Sequence, residues 1–538
     1  MRSDPFRSFH VGSLALCAVF LPWSTSLLSI SQMLLVANWI AEGIVHRNSG
    51  KKWSLAFGQA PFLLFLSFLG LHVIGLIWTS AEGMEWGLDL VRILLPVLVF
   101  GVVLSASPRL DRGEFRLVLL AGAWSVIIST AVCSTMRGLS ADHRELSMFI
   151  SHIRLALLIC LSIAILVHFW PASTGQKILH AFAILWSIFF IDRLESLQSI
   201  VILLVIAFVL SWHGRSVPTV RRILRPVSVV VVSGLIIGTI LAIRHHDRRS
   251  FSTELPVYSE GGERYVHESG NTERENGELV WSKIAWAEVH RTWQLRSPLP
   301  LDTLDKKGHI LYSTLFRYLS SMHLPKDSVG IMSLTDHDID RIVNGTTSYK
   351  QGTRWRSQDR LDEVFYELDR YRATGDPSGH SVTMRLEYWR VGWEILKKNW
   401  LIGVGTGDTQ IAFDRMYEEV GTKLSEEWRH RAHNQYLTLF ISFGVIGGSF
   451  ALFSLWYPAR ELRAWRDPLF IAWLVIIVIG SLSDDTIETQ AGATLFALYY
   501  ALFVFASPVI DHPARPEDRK AAPGHRAGDD LTLIDASR

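Results

Sequence analysis

Charge is scarce in this sequence of 538 residues: Asp, Glu, Lys and Arg together make up 19%, against roughly 25% in a soluble domain. A soluble chain of this length would divide into about three or four domains, and the shortage of charge argues against that. Neither sign dominates. The 53 Lys and Arg balance 51 Asp and Glu, for a net charge of +2, so no basic surface calls for nucleic acid. Cysteine is almost missing. Cys17, Cys133 and Cys160 lie far apart in apolar stretches, which excludes a disulfide framework or a zinc ribbon. No internal repeat, phosphate-binding P-loop or Ser/His/Asp triad is visible. Disordered, collagenous and disulfide-rich classes fall away, as does a compact cytosolic enzyme. What is abundant is apolar: 49% hydrophobic residues, with 20 Trp and 27 Phe. Such aromatic usage suits the two interfaces of a membrane.

A helix that crosses a bilayer needs about 20 mostly apolar residues. Residues Ser8 to Ala41 contain no Asp, Glu, Lys or Arg, and Pro22 divides them into two short spans. Trp53 to Ala81 is a second uncharged run, with a span near 60–79. Further spans are expected at 87–105, 116–134, 152–171, 178–192, 195–212, 226–243, 434–457, 468–483 and 490–510, twelve in all. A cleaved signal peptide is the competing reading of 8–30, but no cleavage signal follows and the second span comes at once. With the N-terminus in the cytoplasm, the cytoplasmic connections collect Arg47, Lys51, Lys52, Arg221, Arg222, Arg460, Arg463 and Arg466 among others. The outer connections collect Glu82, Glu85, Asp89, Asp484, Asp485 and Glu488. That asymmetry sets the orientation.

The expected organisation is an all-α polytopic membrane protein: nine helices over 1–244, a large polar loop over 245–432, three helices over 433–510, and a disordered cytoplasmic tail over 511–538. A structureless loop of that length is implausible. Helical periodicity over 281–295 and 383–400 predicts amphipathic helices. Their Trp-rich faces either lie on the membrane or pack in the loop's own core. The Gly-containing, charged stretch 259–278 is expected to be mobile. Thr335-Asp-His-Asp-Ile-Asp-Arg341 reads as a polar turn. Its spacing fits neither a calcium loop nor a zinc motif, and no metal is expected.

One region concentrates chemistry. It runs from Arg385-Leu-Glu-Tyr-Trp-Arg390 through Asn399-Trp-Leu-Ile-Gly-Val-Gly-Thr-Gly407 to Arg431-Ala-His-Asn-Gln-Tyr-Leu437 at the start of a span. A dinucleotide loop would follow a strand. Here a helix precedes, so the glycines read as a helix stop and turn. His433, at the outer end of an apolar helix, is read as structural or catalytic in equal measure.

Together these pieces resemble the O-antigen ligase and polymerase family. The family pattern is an Arg-containing amphipathic helix, an NPLxGVGxG-like turn, then HNxYL with glycines entering a membrane helix. Here Trp400 stands in place of the Pro, and Gly444 and Gly447 follow His433-Asn-Gln-Tyr-Leu437. Asp484-Asp-Thr-Ile-Glu-Thr-Gln490, ahead of the last span, also looks like the family. The resemblance implies a GT-C-like fold with a periplasmic loop, in the bacterial inner membrane, both termini cytoplasmic. It implies a metal-independent glycosyltransferase without cofactor, whose donor is a glycan on undecaprenyl diphosphate. The acceptor would be lipid A–core, another lipid-linked glycan (a polymerase), or a protein hydroxyl (an O-oligosaccharyltransferase). Surrounding lipids are the remaining partner.

The resemblance also assigns roles. His433 would be the general base for the acceptor hydroxyl. Arg385 would stabilise the diphosphate leaving group, with Arg390 as its neighbour to test. A second family arginine belongs near Leu197, where this sequence departs, and Arg193 one turn away is the substitute. Arg154 and Arg92, near outer ends of spans, are reserve ligands. Two readings of another class remain: a transporter of lipid-linked or soluble glycans, and an envelope-glycan binding protein.

Overall fold

The computed structural model describes residues 4–139, 142–212, 225–226, 229–230, 233–234, 255–268, 270–271, 273–353 and 355–508. It is mostly helical. Its longer helices are α1 (Pro5–Phe20), α2 (Thr25–Val45), α3 (Ser49–Phe57), α4 (Ala60–Ile74), α5 (Met84–Ile93), α6 (Leu95–Ala106), α7 (Arg112–Arg137), α8 (His152–His168), α9 (Thr174–Arg193) and α10 (Leu197–Trp212). After them come α11 (Trp286–Arg296), α12 (Leu311–Ser321), α13 (Asp336–Val343), α14 (Arg356–Thr374), α15 (Ser381–Lys398), α16 (Thr409–Val420), α17 (Gln435–Glu461), α18 (Pro468–Gly480) and α19 (Gln490–Ala501).

Among the described residues six helices are long and apolar enough to cross a membrane: α2, α4 with its continuation to Trp78, α5 with α6, α7, α9 and α17. Shorter apolar helices are α1, α8, α10, α18 and α19 with its continuation to Ala506. Eleven of the expected spans thus coincide with apolar helices among the described residues. The expected span at 226–243 and the tail from 511 lie largely or wholly outside those residues. The span at 87–105 is broken, since α5 ends at Ile93 and α6 starts at Leu95 with Pro96 at its beginning. Proline has no N–H to continue the ladder, so it starts a helix more readily than it extends one. The apolar helices share one core, rich in aromatics such as Phe65, Phe100, Trp473, Phe496 and Tyr500.

The loop region has cores of its own. Val280, Ile284, Val289, Trp293, Leu315, Phe316 and Ile342 form one. Tyr388, Val391, Ile395, Phe413, Tyr417 and Ile441 form another, between α15, α16 and α17. The stretch expected to be mobile is instead paired: Tyr258 bridges Arg264, Val266 bridges Ile284, and Arg274–Glu275 pairs antiparallel with Glu278–Leu279. Its glycines work as turn residues, with Gly262 at φ 84° and Gly277 at φ 90°. The expected polar turn at 335–341 is a helix start. Thr335 and Asp338 form a reciprocal capping box at the head of α13. Asp192, at the end of α9, ties the loop region to the bundle by accepting from Ser357 N at 3.0 Å and Ser357 Oγ at 2.8 Å.

The glycine-rich turn after α15 is a wedge. α17 is broken at Gly444, with φ 64° and ψ −171°. The turn fills the break: Val445 N donates to Trp400 O at 2.7 Å, Val404 N to Ile441 O at 2.9 Å, and Gly405 N to Ser442 O at 2.9 Å. A Cβ on Gly403 would stand 2.3 Å from the Ser442 carbonyl carbon, and one on Gly444 2.2 Å from that of Leu401. On its other side Thr406 Oγ1 donates to His72 O at 2.6 Å, and Asp408 accepts from Ser80 N at 2.8 Å. The turn therefore locks α4 and the start of α5 against α17.

Candidate active site

Four segments far apart in sequence converge: the first turn of α8, the first half of α15, residues 430–434, and residues 481–488 between α18 and α19. Local capping explains why His433 sits where it does. Asn434 caps α17, its Oδ1 accepting from Tyr436 N and Leu437 N at 3.1 Å each. Asn is a favoured N-cap residue. His433 is then the residue before the cap, in the left-handed region at φ 44°. Gln435 holds the opposing segment, with its N donating to Ser481 O at 2.9 Å and its Oε1 accepting from Ile487 N at 3.0 Å.

Asp484 is the junction. Its Oδ2 lies 3.0 Å from Arg154 Nη2, and its Oδ1 lies 4.0 Å from His433 Nδ1. Asp485 Oδ2 is also 4.0 Å from His433 Nδ1, and Asp485 accepts from Thr438 Oγ1 at 2.8 Å. Arg385 reaches the same segment, its Nε donating to Ser483 O at 3.0 Å. Arg431 pairs with Glu488 and lies 4.8 Å over the Trp86 ring. The His433 ring is 5.6 Å from Tyr388 and 6.1 Å from His430.

The electrostatics follow from this crowding. Burial, then the positive charges of Arg385, His430, Arg431 and Arg154, push His433 down to about 4. At neutral pH it is an uncharged imidazole with a free lone pair. Burial pushes the Asp484 carboxyl up from its ordinary range, opposed by Arg154 and Arg385. Arg154 Nε is buried and has no hydrogen-bond partner among the described residues. No group of His, Cys, Asp or Glu suited to hold a metal ion occurs among the described residues.

The structure therefore brings His433, Arg385 and Arg154 together. It gives Arg193 and Arg390 other partners. Arg193 pairs with Asp192 at 2.6 Å and lies 5.3 Å over Phe189, within the tether to α14. Arg390 pairs with Glu387 at 2.6 Å. Five residues after Arg385, it points about 140° away round the helix. Arg92 is exposed and pairs with Asp89 at 2.7 Å. Leu197 begins α10. Sequence reasoning named neither Arg431 nor Asp484 as a site residue. The available signal was an acidic run beside an apolar span and an arginine two residues before the motif histidine.

The fold and the site together define a helical membrane protein that gathers cations round a neutral histidine. Residues 342–453, which hold Arg385, the glycine turn and His433, match the family model described as O-antigen ligase. The match supports an O-antigen ligase-related family, whose members are glycosyltransferase-like ligases and polymerases. No curated protein matches the chain.

Proposed function

We propose that the protein transfers a glycan from undecaprenyl diphosphate to lipid A–core at the periplasmic face of the bacterial inner membrane. Both termini are cytoplasmic in this reading, and the loop over 245–432 is periplasmic. The observation that carries it is the gathering of Arg385, Arg154 with its unpartnered, buried Nε, and Arg431 round an uncharged His433.

In the reaction the acceptor hydroxyl attacks the anomeric carbon, and His433 takes its proton. The bond from that carbon to the diphosphate oxygen breaks, and its electron pair leaves with the diphosphate. Arg385 and Arg154 neutralise the charge that develops there, and fixed cations are worth most where water is excluded. The imidazolium formed on His433 is stabilised by Asp484 and Asp485, each 4.0 Å away. Arriving diphosphate offers the arginines a stronger anion than Asp484, while the carboxylates stay beside the histidine. This chemistry needs no metal.

The test uses proteoliposomes containing the protein and a purified undecaprenyl-diphosphate glycan, with lipid A–core, a second lipid-linked glycan or a protein acceptor supplied separately. Product on lipid A–core is expected. Product only on the second lipid-linked glycan, or only on protein, would replace ligase by polymerase or O-oligosaccharyltransferase. Silence with all three would overturn the reading in favour of transport or binding.

A further inference from the structure

We infer that the outward face of α15 and the turn that follows it are seated in the outer leaflet of the bilayer. Leu386 and Trp393 are seven residues apart, so they lie within about 20° of each other on the helix. The opposite face, with Tyr388, Val391 and Ile395, is buried. Trp393 is 55% exposed, Trp400 58% and Ile402 57%. Arg390 and Lys397 stand on or beside the same face and are exposed. Tryptophan rings flanked by long cationic side chains are the composition of a helix lying in a membrane interface.

Depth is set by hydrogen bonds. Trp400 O and Leu401 O accept from Val445 N and Ile446 N, inside α17, one of the helices able to cross the membrane. Ile446 is 61% exposed there, on the surface that α17 offers to lipid. The turn lies at the same level, so its exposed Trp400, Leu401 and Ile402 adjoin the exposed Val445 and Ile446 of the spanning helix. Non-helical backbone is tolerated at membrane depth only where its polar groups are satisfied by protein. The break at Gly444 meets that condition through the turn itself. The continuity and the flanking cations both favour lipid headgroups and upper acyl chains as the occupant, over a protein partner.

The seating goes beyond the proposed reaction; only its assignment to the outer leaflet rests on the periplasmic placement of the loop in that reading. It does bear on the site: Arg385 precedes Trp393 by eight residues, about 12 Å along one rigid helix, so α15 fixes the height of Arg385 relative to the headgroups.

The test is site-directed spin labelling of the full chain in lipid nanodiscs. Trp393→Cys and Ile402→Cys are labelled, with Leu386→Cys as a second position on the helix face. The native Cys17, Cys133 and Cys160 are buried. Leu295, 81% exposed on α11, is changed to Cys as the control. Collisions with oxygen, which concentrates in lipid, are compared with collisions with a water-soluble nickel chelate. Oxygen is expected to dominate at 386, 393 and 402, and the chelate at 295. Chelate dominance at 393 and 402 would overturn the inference. So would exclusion of both reagents with spin–spin broadening between copies, which would make the face a contact with a second chain.

Discussion

Neutralising Arg385 should raise the pH at which activity is lost on the acid side. His433 is pushed down from 6.5 to about 4, first by burial and next by Arg385, with His430, Arg431 and Arg154 adding to it. In Arg385→Gln the largest of these repulsions is gone, which favours the imidazolium. Burial and the other cations remain. The midpoint of the acid limb should therefore move upward from about 4 but stay below 6.5. The assay is kcat/KM for glycan transfer across pH 4 to 9, since this ratio reports groups of the free enzyme. A limb that stays in place or moves down in Arg385→Gln would refute the argument that this arginine acts on this histidine. The same lowering has a stability sign. An unfolded His433 takes up its proton near 6.5 and the folded one only near 4, so its contribution is lost as pH falls between those values and is constant above 6.5.

Other outcomes follow from single contacts. Arg385→Ala should lower the transfer rate by about 10²–10³, the range seen when one donor to a developing anion is removed. Arg390→Ala should leave it within roughly twofold, because Arg390 pairs with Glu387 on a different side of α15 from Arg385, while stability falls because Glu387 is left buried without its cation; a large loss of rate at normal protein abundance would return Arg390 to the site. Gly444→Ala should lower the thermal midpoint in detergent, since a backbone at φ 64° and ψ −171° is essentially reserved for glycine and costs another residue about 1–3 kcal/mol before the clash with Leu401 is counted. Asp192→Ala should destabilise by about 1–3 kcal/mol through its lost hydrogen bonds, read as faster amide exchange at the start of α14.

Much of the fold was legible because its signal is local. An uncharged apolar run announces a membrane helix whatever it packs against, and α7, α9 and α17 lie where such runs occur. The break between α5 and α6 was foreshadowed only by Pro96. The site is legible in part, for the opposite reason. His433 and Arg385 stand in a motif, whereas Arg154 joins them through Asp484, more than three hundred residues further along the chain, and no local pattern encodes that pairing. Arg193 stands beside Asp192 in the sequence, and that adjacent carboxylate is what it pairs with. The glycine turn was read as a helix stop. Its fit against Gly444 rests on backbone contacts that a sequence pattern does not carry.

In the proposed glycan transfer His433 accepts the acceptor's proton. Proteoliposomes with the undecaprenyl-diphosphate glycan and lipid A–core, holding equal amounts of wild type or His433→Ala, test it directly. Glycan on lipid A–core from wild type alone is the predicted result. Equal product from His433→Ala would contradict the account.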